Sequence, residues 1–193
     1  MERIIEVKPG SPGATALSPH EKTIIAEGLA PFLPPFTFVA AAGGESLLFS
    51  CEGLLPAAWF ASARGAEPSF SEAPRSPKRP VLNDLFLILE DYIRCIAKAR
   101  DLLLNTARIS SDPVNGVYAA PGGAVRVVYG PDEYSGAGEK IRRLALCFAG
   151  CESIMGAKPS MEQVAERIHE SGPALRDCLK LTESIHREWN YII

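Results

Sequence analysis

The sequence predicts an α+β protein made of two unequal parts. A long apolar helical segment, Val81 to Thr106, runs through a short polar loop, Ala107–Asn115, into a tight β-hairpin, Gly116–Tyr129. Upstream, two strand-like runs flank Gly43 and Gly44, and the residues after the second hairpin have helical periodicity. These observations favour a small sheet-containing N-terminal part and a mainly helical C-terminal part.

We predict three regions along the chain. Residues 1–64 form a small α+β lobe, residues 65–80 form a proline- and serine-rich linker, and residues 81–193 form a helical lobe with the second hairpin. The chain has 193 residues, of which 47% are hydrophobic. That composition is sufficient for one compact domain or for two small lobes.

The charge balance narrows the classes of partner. The formal net charge is −3, which lacks the basic footprint of a nucleic-acid-binding protein. The N-terminus has no basic and then apolar signal sequence. The longest apolar stretch, Gly28–Ala42, contains three prolines and cannot form a continuous spanning helix. We therefore expect a cytoplasmic protein that binds no nucleic acid and does not insert into a membrane.

The cysteines and histidines indicate neither a disulfide framework nor a metal site. The five cysteines are an odd number in mostly apolar surroundings, which favours reduced, buried thiols. Cys147 and Cys151 would share a helix face, but a metal site needs two more ligands, and the three histidines show no matching spacing. An enzyme with either of these thiols as nucleophile is an alternative, although an apolar helix keeps a thiol protonated. We predict no metal and no cofactor.

Several N-terminal elements have local signals. Arg3–Lys8 alternates as a short edge strand does. Ser18 can cap a helix that has proline at its first position and Glu21 to close the capping box. The helix is expected to stop at Gly28. The strands follow at Phe36–Ala42 and Ser46–Cys51, the second covered on both faces. Phe32, Phe36 and Phe38 are candidates for an interface or, preferably, for the core.

The C-terminal part reads as a series of helices. The first, Asn83–Thr106, is apolar on more than one side, so it should be central and about 35 Å long. Glu139–Ile154 is the second. A second capping box at Ser160 predicts the start of a third helix, which ends near Ser171. Ala174–Asn190 is the last.

The run from Val81 to Asp132 resembles an uncharacterised bacterial domain family. That family often lies at the N-terminus of proteins with a forkhead-associated (FHA) domain in Gram-positive bacteria. The resemblance is carried by Val81–Ile93, Leu102–Asn105, Val117–Tyr118 and Val127–Asp132, and Leu47–Pro56 is similar to the family's first half. It covers most of the chain from about Phe36. Because the chain ends at Ile193 with no FHA domain appended, we expect no phosphopeptide recognition in cis.

That family is similar in layout to degenerate kinase folds, including the cytoplasmic pseudokinase-like domain of a type VII secretion membrane component. A kinase catalytic loop reads His-Arg-Asp-Leu-Lys-Pro-Glu-Asn and is followed by a hairpin and Asp-Phe-Gly. Pro113 and Asn115 match the proline and asparagine, but the base position is Ser110 and the lysine position is Asp112. The metal-binding aspartate falls near Tyr129. Phosphoryl transfer needs a base, metal ions and positioned phosphates, so the resemblance implies no kinase activity.

From these considerations we predict a function without a catalytic residue. The chain is expected to be a non-catalytic, pseudokinase-like protein-interaction or scaffolding module, associated with a secretion or pilus assembly system through the company of the resembled family. The alternative is a nucleotide or small-ligand sensor that uses the residual cleft through Asn115, Tyr129 and Asp132. Trp189 and Tyr191 would contact a partner protein if the C-terminal tail is exposed, and would join the core if it folds back. The partner's identity and the existence of a homodimer are left open.

Overall fold

The fold is taken from a computed structural model of the chain. It describes residues 4–7, 16–41, 44–61, 82–120, 124–130, 135–151, 154–171 and 174–190. The predicted linker, residues 65–80, lies outside these described residues, as do Asp132 and Tyr191.

The described residues contain six short strands and six α-helices. The strands are β1 (Ile4–Val7), β2 (Phe36–Ala41), β3 (Gly44–Ser50), β4 (Leu55–Pro56), β5 (Val117–Ala119) and β6 (Val125–Val127). The helices are α1 (Pro19–Ala26), α2 (Ala57–Ala61), α3 (Leu82–Asp101), α4 (Ala137–Ala149), α5 (Ala157–Ser171) and α6 (Leu175–Asn190). Helices and small antiparallel sheets occur together, so the predicted α+β class is confirmed.

The first sheet lies in the N-terminal part and has the order β1-β3-β2, with both pairs antiparallel. The register sets Phe36 opposite Phe49 and Phe38 opposite Leu47. Residues directly opposite each other share a face, and Leu47 and Phe49 are fully buried. On the other face Ser46 is buried and Leu48 is half-buried, so this face of the strand is covered only in part.

The start of α1 confirms the predicted capping box. The Ser18 hydroxyl accepts a hydrogen bond from the Glu21 amide at 3.2 Å, and a Glu21 carboxylate oxygen accepts one from the Ser18 amide at 2.7 Å. Each bond satisfies a donor that the helix itself cannot. The helix ends just before Gly28, which has a φ of 68°.

The second sheet has the order β4-β5-β6, and the β5–β6 pair is the predicted hairpin. The sequence did not predict its third strand, β4, in which Leu55 pairs with Ala119 and Pro56 with Tyr118. The Ala58 amide also donates to the Pro113 carbonyl at 2.8 Å. Residues 55–61 therefore lie against the C-terminal part, across the boundary that composition suggested.

Helix α3 is the centre of the fold, as its apolar pattern predicts. It packs against α4, α6 and β6, and its inward side chains, such as Leu85, Leu89 and Ile96, are fully buried. It has 20 residues, about 30 Å at the usual rise, and ends at Asp101. The predicted extension to Thr106 was wrong, because the chain turns out of the helix at Leu103.

The later helices occur in the predicted order with shifted bounds. Helix α4 ends at Ala149 instead of Ile154, so Cys151 lies beyond it. Helix α5 starts at Ala157, three residues before the predicted cap. Ser160 is a buried residue inside the first turn, where its hydroxyl donates to the Ala157 carbonyl at 3.2 Å, and so the second capping box was wrong. Among the described helices none is both long and apolar enough to cross a membrane.

Candidate functional site

The loop that follows α3 occupies the position of the kinase-like catalytic loop in the resemblance. It is anchored by backbone hydrogen bonds to the residues that follow β6. The Ser110 amide donates to the Val128 carbonyl at 3.0 Å, and the Gly130 amide donates to the Arg108 carbonyl at 2.8 Å. Tyr92 of α3 donates from its hydroxyl to the Ser110 carbonyl at 3.0 Å. The loop is therefore held from both sides.

Residues 110–117, which we call the Asp112 loop, bind their own polar groups. One Asp112 carboxylate oxygen accepts the Val114 amide at 2.8 Å, and the other accepts the Asn115 side-chain amide at 3.3 Å. The Ser110 hydroxyl accepts the Asp112 amide at 3.2 Å. These are the local side-chain-to-backbone bonds that Asp and Ser make in turns. Ser110 and Asp112 thus shape the loop in this conformation.

Gly116 closes the Asp112 loop against its beginning. A Cβ atom added to Gly116 would lie 1.9 Å from the Ser110 Oγ and 2.5 Å from the Ser110 Cβ. The Gly116 and Val117 amides both donate to the Asp112 carbonyl at 2.9 Å. A side chain at position 116 is therefore incompatible with this loop.

A buried cluster of Glu21, Arg108 and Tyr129, which we call the Glu21 cluster, joins α1 to the loop. Their exposed fractions are 6%, 1% and 0%. Tyr129 donates from its hydroxyl to Glu21 Oε1 and accepts the Asn105 amide at 3.0 Å. Arg108 Nε lies 3.7 Å from the same Glu21 oxygen, and its guanidinium donates to the Ala16 carbonyl at 3.4 Å. One carboxylate therefore serves the helix cap, the tyrosine and the arginine.

The environment of this cluster shifts two pKa values in opposite directions. Burial acts to raise the pKa of Glu21, but the hydrogen bonds from Tyr129 and Ser18 and the charge of Arg108 together hold it below its ordinary value. Burial, the hydrogen bond to Glu21 and the negative charge of Glu21 raise the pKa of Tyr129. At neutral pH Glu21 is ionised and Tyr129 is a neutral donor, as the bond between them requires.

Two basic residues of α4 also hold the loop that follows α3. The ammonium of Lys140 is buried with the side chain and donates to the carbonyls of Thr106 at 3.2 Å, Ala107 at 2.7 Å and Ile109. Arg143 donates to the Ser111 hydroxyl at 2.9 Å. A lysine at 1% exposure is tolerated only because its donors are matched by acceptors. Here it fixes the entry to the loop.

The structure separates the residues predicted to contact a ligand. Tyr129 is fully buried and its hydroxyl points into the Glu21 cluster. Asn115 is exposed and donates to Asp112. Asp132 lies outside the described residues. Of the predicted contacts that the structure describes, Asn115 is the one at the surface, and the ligand assignment remains a prediction.

The predicted partner residue Trp189 lies between helices. It is half-buried on α6, packs against the core, and donates from its indole nitrogen to Gln163 of α5 at 3.2 Å. This contact is what a tryptophan makes when it joins two elements with one polar atom to satisfy. Tyr191 lies outside the described residues, so its partner role remains a prediction.

A second polar cluster joins α3 to α6. His186 Nδ1 lies 2.7 Å from Glu90 Oε1, and Nε2 lies 3.0 Å from Asn83 Oδ1, while the ring stacks on Phe86 at 4.5 Å. Arg94 bridges Glu90 at 3.4 Å and Glu183 at 3.0 Å. An open hollow of about 330 Å³ is lined by Glu90, Glu183, His186 and Arg187. Both ring nitrogens of His186 are occupied by side chains of α3, so this histidine joins the two helices.

The environments of Cys95 and Cys147 keep these two thiols protonated. None of the five cysteines forms a disulfide, and all except the half-buried Cys147 are buried. Burial, with a smaller contribution from Asp91, raises the pKa of Cys95 to about 12. Burial and the charge of Asp112 raise the pKa of Cys147. A thiol with a raised pKa is a poor nucleophile. Within the described residues no three His, Cys, Asp or Glu side chains form a group able to hold a metal ion.

Comparison with known proteins adds no relative. No protein-family model matches the chain, and neither a curated protein nor a solved structure matches it significantly. The resemblance to the FHA-associated, pseudokinase-like family therefore remains a prediction from the motifs.

Sequence reasoning missed the residues that build these clusters. Arg108, Lys140 and His186 are charged or titratable residues that read as surface positions in a single sequence. Glu90 gave a weak signal, because it interrupts the apolar stripe of α3. The local role of Glu21 was predicted from its spacing to Ser18, but its partners Arg108 and Tyr129 are 87 and 108 residues away, beyond any local pattern.

Proposed function

We propose that this protein is a non-catalytic, pseudokinase-like interaction or scaffolding module of the bacterial cytoplasm that works beside a secretion or pilus assembly system. The reference to such a system rests on the company of the resembled family. The observation that carries the interaction role is the backbone conformation and the exposure of Leu103, at the end of the central helix.

Leu103 has a backbone conformation that leucine disfavours. Its φ is 56°, in the left-handed region, where a residue with a Cβ pays about 1–2 kcal/mol. The Leu104 amide donates to the Ala99 carbonyl and the Leu103 amide to the Arg100 carbonyl, both at 2.9 Å. This is the Schellman pattern, in which the position of Leu103 is usually glycine.

The strain at Leu103 is not offset by burial of its side chain. Leu103 is 78% exposed, the most exposed large hydrophobic residue in the described part of the chain. Glycine would form the same turn without the strain and without an apolar side chain in water. A strained residue that gains nothing inside the fold indicates a requirement outside it, and an exposed leucine suits an apolar contact with a protein.

The Asp112 loop supports a non-catalytic role for the residual cleft. Where a kinase-like loop has its base, this chain has Ser110, whose hydroxyl accepts an amide from its own loop. The Asp112 carboxylate bonds within the loop, and the Tyr129 hydroxyl bonds inside the Glu21 cluster. These groups stabilise the junction between α1, α3 and the second hairpin.

We expect the Leu103→Gly variant to fold with unchanged or higher stability and to lose partner binding. Relief of the left-handed strain favours the variant, and the greater freedom of glycine in the unfolded chain opposes it, so the net gain in unfolding free energy is at most about 1 kcal/mol. Chemical denaturation measures this term. Quantitative mass spectrometry of proteins retained from a bacterial lysate by each immobilised variant measures binding.

Met155→Ala is the matched control, because Met155 is 75% exposed at another site. A protein retained by the wild type and by Met155→Ala, but not by Leu103→Gly, supports the proposal. If the wild type retains no protein specifically, or Leu103→Gly retains the same set, Leu103 is not a partner contact and the proposal loses its basis.

We also expect millimolar ATP, ADP and GTP, with or without magnesium, to leave the melting temperature unchanged. A ligand that binds the folded state must raise the apparent stability, and the polar groups of the Asp112 loop are already bonded. A rise in melting temperature that persists in Val114→Ala and disappears in Asn115→Ala would favour the nucleotide-sensor alternative instead.

A further inference from the structure

The outer edge of β2 is open in the described part of the structure. The sheet order β1-β3-β2 leaves β2 with a neighbour on one side only. The Ser50 amide donates to the Pro35 carbonyl at 2.7 Å, which makes that pair a hydrogen-bonded one. Because such pairs alternate along an antiparallel ladder, the backbone groups of Phe36, Phe38 and Ala40 face outwards.

This edge lacks the features that keep edges apart. Proteins protect exposed edges with charges, prolines or bulges, yet Phe36–Ala41 contains no charged residue and no proline. Phe38 and Val39 are each 37% exposed. The other edge strand, β1, carries the exposed Glu6. The contrast indicates that β2 is the edge suited to pairing.

We propose that β2 pairs with β2 of a second copy of this chain, antiparallel across a two-fold axis at Phe38. In this register Phe38 is opposite Phe38 of the second copy, and Phe36 is opposite Ala40. All three residues whose backbone groups face outwards therefore meet such residues of the second copy. The result is a continuous six-stranded sheet. No other symmetric register pairs all three.

The side chains of β2 favour its own copy as the occupant. The strand is uncharged, so two copies meet without repulsion. Phe38 lies on the same face as Leu47 and Phe49, which are buried, so the pair of Phe38 rings extends the apolar face of each sheet. On the opposite face Thr37 meets Val39 of the second copy, and both are exposed in the monomer. This surface is independent of Leu103, so it and the proposed function can fail separately.

The direct test is the oligomeric state of the full-length chain by sedimentation equilibrium. A single pair of six-residue strands buries less than a standard interface, so we expect a dimer dissociation constant on the order of 10–100 µM. A wild type that stays monomeric at concentrations well above that range would overturn the proposal. The edge would then be unpaired or would bind a strand of a different protein.

Charge variants test the register. One double variant combines Thr37→Lys with Val39→Lys, and the other combines Thr37→Glu with Val39→Glu. In each, position 37 of one copy lies opposite a like charge at position 39 of the other, so each double variant should be monomeric. A mixture of the two should form heterodimers, because the same positions then attract. Ile4→Lys, on the β1 edge, is the control and should dimerise like the wild type. The register would be overturned if the lysine variant still formed dimers. It would also be overturned if the mixture stayed monomeric while circular dichroism showed each variant to be folded.

Discussion

Replacing Glu21 with alanine is expected to lower the free energy of unfolding by about 3–5 kcal/mol, because it leaves the buried Arg108 guanidinium without its carboxylate. Arg108 is 1% exposed, and Tyr129 would lose the acceptor of its hydroxyl. The capping box would also lose one of its two bonds, the one from the Ser18 amide to the Glu21 carboxylate. Urea denaturation of the wild type and the variant measures the difference.

Glu27→Ala is the matched control for this substitution. Glu27 is an exposed residue at the other end of the same helix, so its removal should change the unfolding free energy by less than about 0.5 kcal/mol. The loss of unfolding free energy in Tyr129→Phe should lie between those of Glu21→Ala and Glu27→Ala, since this variant removes one hydrogen bond and keeps the ion pair. A loss below about 1 kcal/mol in Glu21→Ala would show that Arg108 does not depend on this carboxylate.

The same cluster predicts a sign for the pH dependence. The pKa of Glu21 is lower in the folded protein than its ordinary value, so the unfolded chain takes up the proton first as pH falls. The stabilisation from Glu21 is therefore complete above the ordinary carboxyl pKa and disappears as pH falls through the depressed value. The difference in unfolding free energy between the wild type and Glu21→Gln should shrink between neutral pH and about pH 3.

The second large effect is expected for Gly116→Ala, which should lower the unfolding free energy by about 3 kcal/mol through overpacking. The new Cβ would overlap both Oγ and Cβ of Ser110, so rotation of the serine hydroxyl cannot relieve it. The loop backbone would have to move, and with it the bond from Tyr92 to the Ser110 carbonyl. Thermal and urea denaturation both measure this loss.

Two further variants isolate the steric cause. Gly138→Ala adds the same methyl group inside α4, where it would lie 3.6 Å from Ile168, an ordinary contact, and it should leave stability unchanged or raise it by about 1 kcal/mol. Ser110→Gly removes both overlapping atoms, so in that background Gly116→Ala should cost much less than in the wild type. Equal costs in both backgrounds would contradict the overlap as the cause.

Local patterns in the sequence predicted most elements of the fold. The capping box at Ser18 and Glu21 was predictable because its partners are three residues apart. The long apolar stripe was enough to place α3 at the centre. Bounds were less accurate where the sequence has no signal: a leucine at position 103 does not indicate the end of a helix, because that turn normally has glycine. Ser160 was wrongly predicted to be a cap because its spacing to Gln163 matches a capping box. The chain is already helical at Ala157.

What the sequence determined by itself is the α+β class, the order of most elements, the central position of α3 and the cap of α1, because these follow from patterns among residues close in the chain. The tertiary structure alone decided the pairing of β4 with β5, the burial of Tyr129, the Glu21 cluster and the carbonyl contacts of Lys140. Those contacts join residues that are 31 to 108 positions apart. A single sequence records no such proximity, and an arginine, lysine or tyrosine shows whether it is buried only when its distant partners are in place.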